Sequence, residues 1–242
     1  MIYITGDTHR DFDRVERFCT EMNTIADDVL IILGDAGINY FGEPRDRYLK
    51  QRLAKLPITL FCVHGNHEMR PSTITTYHTA EWHGGQVYVE DDFPTLLFAM
   101  DGEIYDLDGQ RAVVIGGAFS VDWAYRVLRR WGWWADEQPS DAIKTRVEER
   151  LAGADWKVDV VLSHTVPFKY VPVETFIAGI DQSSVDTGTE EWLDTIEGRL
   201  TYRRWFAGHY HTEKTVDRLR IIFNDILAFP ETIGCADQAL NK

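Results

Sequence analysis

Apolar residues recur along this chain in two alternating rhythms. Residues 1–5 are short, apolar and β-branched, which marks a buried strand, and beyond them Phe12, Val15, Phe18, Cys19 and Met22 fall at helical spacing. The strand signal returns at 29–33. Pro44 then suits the first turn of a helix whose stripe is Leu49, Leu53 and Leu56, and Pro57 ends it. With a third strand at 58–63, residues 1–65 read as three β units joined by two helices, the pattern of a parallel sheet.

The rhythm changes in the middle of the chain. Short strands are predicted at 87–90, 95–99, 103–107 and 111–115, with Asp108-Gly109 as a hairpin signal, so this stretch is expected to be antiparallel. Residues 119–139 hold Phe119, Trp123, Tyr125, Trp131, Trp133 and Trp134 together with Arg126, Arg129 and Arg130, and show no clean period. They read as an insertion over one rim of the fold. Such rings and guanidinium groups could stack a base and hold a phosphate, but packing of the rings against the domain is the commoner outcome and is the expectation. Helical spacing resumes with Ile143, Val147 and Leu151, followed by a strand at 156–162, a long loop at 165–189, a short helix near 189–196, a strand at 204–207, a hairpin at 213–223 and a tail over the last dozen residues. There is no internal repeat and no linker-like composition, so residues 1–242 are expected to form a single α/β domain with an insertion at about 119–139.

Composition narrows the function. A chain of 242 residues that is 44% hydrophobic can bury a core without staples. Its formal charge of -14 argues against a surface that grips duplex nucleic acid, which relies on Lys and Arg displacing counterions, but leaves small nucleotides open. The acidic runs Asp27-Asp28 and Asp91-Asp92 read as solvated loop charges. Cys19, Cys62 and Cys235 are odd in number and far apart, so neither a disulfide framework nor a cysteine metal site is indicated. No apolar stretch approaches a membrane span, and the five residues before the first polar cluster are too few for a signal peptide. Cytoplasmic residence without a membrane partner is the expectation, and the oligomeric state is left open.

Five polar clusters follow predicted strands: Gly6-Asp7-Thr8-His9, Gly34-Asp35-Ala36-Gly37, Gly65-Asn66-His67-Glu68, Ser163-His164 and Gly208-His209-Tyr210-His211. Loops at the carboxyl ends of strands in an α/β sheet converge on one crevice. Carboxylate, imidazole and carboxamide groups gathered there suit a pair of divalent first-row metals that grips phosphate and activates water. Taken singly, Asp7 and Asp35 are equally well explained as turn formers or caps, and any one histidine as a surface or packed residue. Five of the eight histidines falling in these clusters favours the joint explanation, while His64, His78 and His83 fit no cluster.

In this order the clusters resemble the calcineurin-like metallophosphoesterase family, whose pattern is Asp-x-His, Gly-Asp, Gly-Asn-His-(Asp/Glu), His and Gly-His-x-His; the match spans residues 6–211. The resemblance implies an α/β fold, a four-layer α/β/β/α sandwich of two mixed sheets. It further implies two divalent metal ions, one held by Asp7, His9 and His211 and the other by Asn66, His164 and His209, with Asp35 bridging them and activated water as nucleophile. Manganese is the first choice of metal, with iron, zinc, nickel and cobalt also compatible. His67 is then the group that assists the leaving oxygen. Many members of the protein-phosphatase branch continue Gly-Asp-x-x-Asp, the second Asp orienting that histidine; here Ile38 stands in its place, with Glu68 or Asn39 as candidate substitutes. The Gly-His-Tyr-His ending resembles the phosphodiesterase-like branch. A phosphodiesterase or phosphatase acting on small nucleotide-like substrates is therefore expected, with a serine/threonine-type protein phosphatase or a non-catalytic scaffold of the same fold as the alternatives.

Overall fold

The computed structural model describes residues 1–176 and 185–229. Residues 177–184, within the predicted long loop, and 230–242, which contain Cys235 and the predicted tail, lie outside the described residues. The first half runs β1 (Ile2–Thr5), α1 (Asp13–Met22), β2 (Val29–Ile32), α2 (Arg45–Leu53), β3 (Thr59–Cys62), β4 (His78–Trp82), β5 (Gly85–Val89) and β6 (Leu96–Ala99). The second runs β7 (Ile104–Leu107), β8 (Gln110–Ile115), α3 (Trp123–Arg129), α4 (Asp141–Gly153), β9 (Val160–Ser163), α5 (Gly188–Glu197), β10 (Arg204–Ala207), β11 (Lys214–Val216), β12 (Leu219–Ile221) and β13 (Leu227–Ala228).

These strands form two mixed sheets, one in the order β13-β1-β2-β3-β6-β5-β4 and the other β11-β12-β10-β9-β8-β7. β1, β2 and β3 pair in parallel, as do β8, β9, β10 and β12. β1, β2 and β9 are buried at every position, because both faces of each are covered, and this is why they read as unbroken apolar runs. Alternate residues go to different cores. Ile4, Ile31, Phe61, Val114, Leu162 and Phe206 meet between the sheets. Leu30, Ile32 and Leu60 pack under Val15, Cys19, Leu49 and Leu53 of α1 and α2, while Val113, Val161 and Trp205 pack under Val147, Leu151, Leu193 and Ile196 of α4 and α5. Helix, sheet, sheet and helix therefore stack as four layers. Among the described residues, no helix is long and apolar enough to cross a membrane.

Several elements depart from the sequence expectation. The middle stretch is only partly antiparallel: β6 pairs antiparallel with β5 but parallel with β3. β4 is an edge strand whose residues are exposed or half-buried, so it carries no apolar run. The strand expected from 156 begins at Val160, since Asp155 and Trp156 take left-handed φ angles of 54° and 52°. Asp28, expected to be a solvated loop charge, is buried and accepts from the terminal ammonium of Met1 at 2.7 Å. The insertion also differs. It contains α3, and the packing expected of its rings holds in part: Phe119, Trp133 and Trp134 are half-buried, Trp134 against Tyr40, whereas Trp123, Tyr125, Val127, Leu128 and Trp131 are exposed.

Candidate metal centre

Each cluster leaves the carboxyl end of a parallel strand: Asp7 and His9 after β1, Asp35 after β2, Asn66 and His67 after β3, His164 after β9, His209 and His211 after β10. The loops are tied to one another by backbone. The His9 backbone N–H donates to the Asp35 carbonyl at 2.8 Å and that of His209 to Asp7 Oδ1 at 2.9 Å. Arg14, in the first turn of α1, donates to the carbonyls of Gly6, Asp7 and Phe223. His9, Asp35, His209 and His211 all sit at φ between 45° and 69°, a region that costs about 1–3 kcal/mol each and persists where surrounding structure enforces it, most often at functional sites.

All seven candidate ligands are brought together. In one group the His9 and His211 Nε2 atoms face each other at 2.8 Å, and lie 3.6 and 3.2 Å from Asp7 Oδ2. In the other, Asn66 Oδ1 lies 2.8 Å from His164 Nε2 and 3.1 Å from His209 Nδ1. Asp35 stands between them, its Oδ1 3.7 Å from His164 Nε2 and its Oδ2 3.8 Å from His9 Nε2. Burial works to raise the Asp7 carboxyl, but the His211 and His9 rings beside it hold it well below its ordinary range. Burial likewise opposes ionisation of Asp35, which the adjoining His164 and His67 rings keep below its ordinary value. Burial, with His164 adding, pulls His209 down to about 3, leaving a neutral ring with a free lone pair.

Two observations test whether a cation suits this donor set. Asp7 Oδ2 is buried and has no hydrogen-bond partner. The second concerns proton direction. His164 Nδ1 lies 2.8 Å from the Leu33 carbonyl, which can only accept, so Nδ1 carries a hydrogen, and in the neutral ring Nε2 presents its lone pair to Asn66. Asn66 Nδ2 donates to Ser120 Oγ at 2.9 Å, and Ser120 Oγ donates to Glu137 Oε2 at 2.6 Å. With Glu137 ionised these donors run one way and turn the Asn66 carbonyl oxygen toward His164. With His164 neutral, two acceptors face each other at 2.8 Å, an arrangement that a shared cation relieves.

His67 lies at the edge of this cluster. Its backbone N–H donates to Asp35 Oδ1 at 2.7 Å, and its Nδ1 is 2.8 Å from Arg126 Nη2. Burial holds its ring below the ordinary histidine pKa, Asp35 opposing and Arg126 reinforcing the effect. Neither candidate substitute from the sequence reaches it. Asn39 Oδ1 accepts from the Tyr77 hydroxyl, and the fully buried Glu68 is pushed up to about 8 by burial and by Asp35, close to the backbone N–H groups of Gly65, Ala36 and Gly37. His64 is buried and held neutral by burial, with neither ring nitrogen hydrogen-bonded; His78 and His83 are exposed.

Arg14 and Glu137 carry no signal in the sequence, because their effect on the site runs through other residues: Arg14 through the backbone carbonyls of Gly6, Asp7 and Phe223, Glu137 through Ser120.

Comparison with known proteins adds a family. A family model described as calcineurin-like phosphoesterase matches residues 1–213. No curated protein matches the chain significantly. The crystal structure of TT1561 of Thermus thermophilus is similar at a TM-score of 0.48, with 12% sequence identity, over 92% of this chain and 87% of that one.

Proposed function

Since the chain belongs to the calcineurin-like phosphoesterases, metal-dependent hydrolases of phosphate esters, we propose that it is a dinuclear enzyme of the phosphodiesterase-like branch that hydrolyses small nucleotide-like phosphate esters. Asp7, His9 and His211 would hold one divalent ion, Asn66, His164 and His209 the other, and Asp35 would touch both. Bound there, such ions acidify water and polarise the phosphoryl oxygens. The protein's own part is to fix these donors before substrate arrives. Ser120 and Glu137 hold the Asn66 amide, the Leu33 carbonyl holds the His164 tautomer, and His67 faces the cleft from its rim, where it donates a hydrogen bond to the departing oxygen. The observation that carries the reading is the convergence of these seven donors from five separate loops on one place.

Chelation is expected to abolish hydrolysis and added Mn²⁺ to restore it; activity indifferent to chelator would sink the proposal. The assay panel comprises phosphomonoesters, phosphodiesters, dinucleoside polyphosphates and phosphopeptides. Turnover confined to phosphopeptides would hand the function to the protein-phosphatase alternative.

The nucleotide preference is supported by the exposed rings of Trp123, Tyr125 and Trp131 on the insertion. They stand close in the chain to Asp122, whose Oδ1 lies 3.9 Å from His67 Nε2. Base stacking on such a ring is worth about 1–3 kcal/mol. Trp123→Ala should therefore raise KM for nucleotides roughly tenfold and leave KM for an alkyl phosphate unchanged. Equal KM changes for both would return these rings to another role.

A further inference from the structure

Helix α3 is built inside out. Its apolar side chains, Trp123, Tyr125, Val127 and Leu128, are exposed, and its one buried residue is Arg126. Burying a guanidinium is unfavourable unless its donors are satisfied, and here they are satisfied in a way that points at the reaction. Arg126 Nε donates to both oxygens of Asp122 at 2.8 and 2.9 Å, and Nη1 to the Tyr40 hydroxyl and the Gly132 carbonyl at 3.3 Å each. These contacts fix the plane of the group. The remaining arm, Nη2, meets His67 Nδ1 at 2.8 Å.

We propose that Arg126, carried on α3 of the insertion, is the positioning residue of His67, and that the insertion is thereby part of the hydrolytic machinery. This rests on the reading of His67 as the residue that faces the departing oxygen. A guanidinium has only donors, so His67 Nδ1 must accept and the ring hydrogen sits on Nε2. That nitrogen is 3.9 Å from Asp122 Oδ1, so Arg126 and Asp122 bracket the ring from its two sides. Ile38 and Asn39 of the loop after β2 do not serve His67 in this way, since Ile38 is buried in the helix-facing core and Asn39 is engaged by Tyr77. Without Arg126 the ring is free to rotate about χ2 or to carry its hydrogen on Nδ1, and in either case the donor no longer points into the cleft. Arg126 acts on the rate through His67 and makes no contact with substrate.

The test is a double-mutant cycle in the full, Mn²⁺-loaded chain, comparing His67→Ala, Arg126→Ala and the double variant on p-nitrophenyl phosphate and on an alkyl phosphate. Arg126→Ala should lower kcat for the alkyl ester about 10²-fold, as expected for a misplaced group, lower it far less for the good p-nitrophenyl leaving group, and leave KM and metal content unchanged. The double variant should be no slower than His67→Ala. Additive losses, or a rise in KM in place of the fall in kcat, would show that Arg126 acts on the substrate itself and overturn the proposal. A His67→Ala enzyme of undiminished kcat overturns the role of His67, and the positioning claim with it. If Arg126→Ala fails to fold, Arg126→Lys keeps the stem and the cation but not the fork, and the same leaving-group-dependent loss is expected of it.

Discussion

Asp35→Asn is expected to empty or halve the metal centre and to lower kcat/KM on the order of 10³-fold, the equivalent of several kcal/mol of Lewis-acid stabilisation. The substitution is chosen to spare the fold. Asp35 has a φ of 48°, a conformation that Asn adopts as readily as Asp, and an amide oxygen can still accept from the His67 backbone N–H at the position of Oδ1. What disappears is the anionic Oδ2, which lies 3.8 Å from His9 Nε2 and 3.9 Å from His67 Nδ1. Asp7 is then the one remaining carboxylate among the seven candidate ligands. Asn66→Ala, which removes a neutral oxygen from one group alone, should lose less metal and less activity. Metal analysis alongside kcat/KM decides the matter, and equal, mild losses in the two variants would contradict a bridging Asp35.

Gly34→Ala should damage stability and activity together. Gly34 has a φ of 95°, and a Cβ built there would overlap the Nδ1, Cγ and Cε1 atoms of the His164 ring. That ring cannot retreat, for His164 is fully buried and held between the Leu33 carbonyl and Asn66 Oδ1 at 2.8 Å on either side. Backbone strain of about 1–3 kcal/mol and overpacking of about 1–3 kcal/mol combine to a loss of roughly 2–6 kcal/mol. In a domain of this size that lowers Tm by roughly 4–24 °C. Gly109→Ala separates the two causes. Gly109 also has a positive φ, of 76°, but nothing lies within 4 Å of its Cβ, so that variant should lose stability and keep its kcat. Gly34→Ala protein that folds and retains full metal and full kcat would show that His164 need not sit where it does.

The parts of the fold legible in the sequence are those whose burial is periodic. β1, β2, β3, β9 and β10 announce themselves because both faces are covered, and α1, α4 and α5 because one stripe meets a sheet. α3 is illegible for the opposite reason, since it hides an arginine and exposes its apolar residues. β4 has no covered face to report, and β13 is two residues long and exists by pairing with Tyr3 and Ile4. Asp28 is read correctly only once the terminal ammonium is seen beside it.

Sequence alone determined the inventory of the candidate site. Ligand type, the order of the clusters and their position just after strands are local properties, and a parallel sheet delivers such loops to one edge without further instruction. Only the tertiary structure decided how these groups face one another: the Asn66 amide turned by Ser120 and Glu137, the His164 proton fixed by Leu33, and His67 met by an arginine 59 residues away. The physical reason is that a proton's position and a ring's orientation are set by hydrogen-bond partners in space, and here those partners come from different loops and, in part, from different sheets. No pattern along the chain encodes such a meeting.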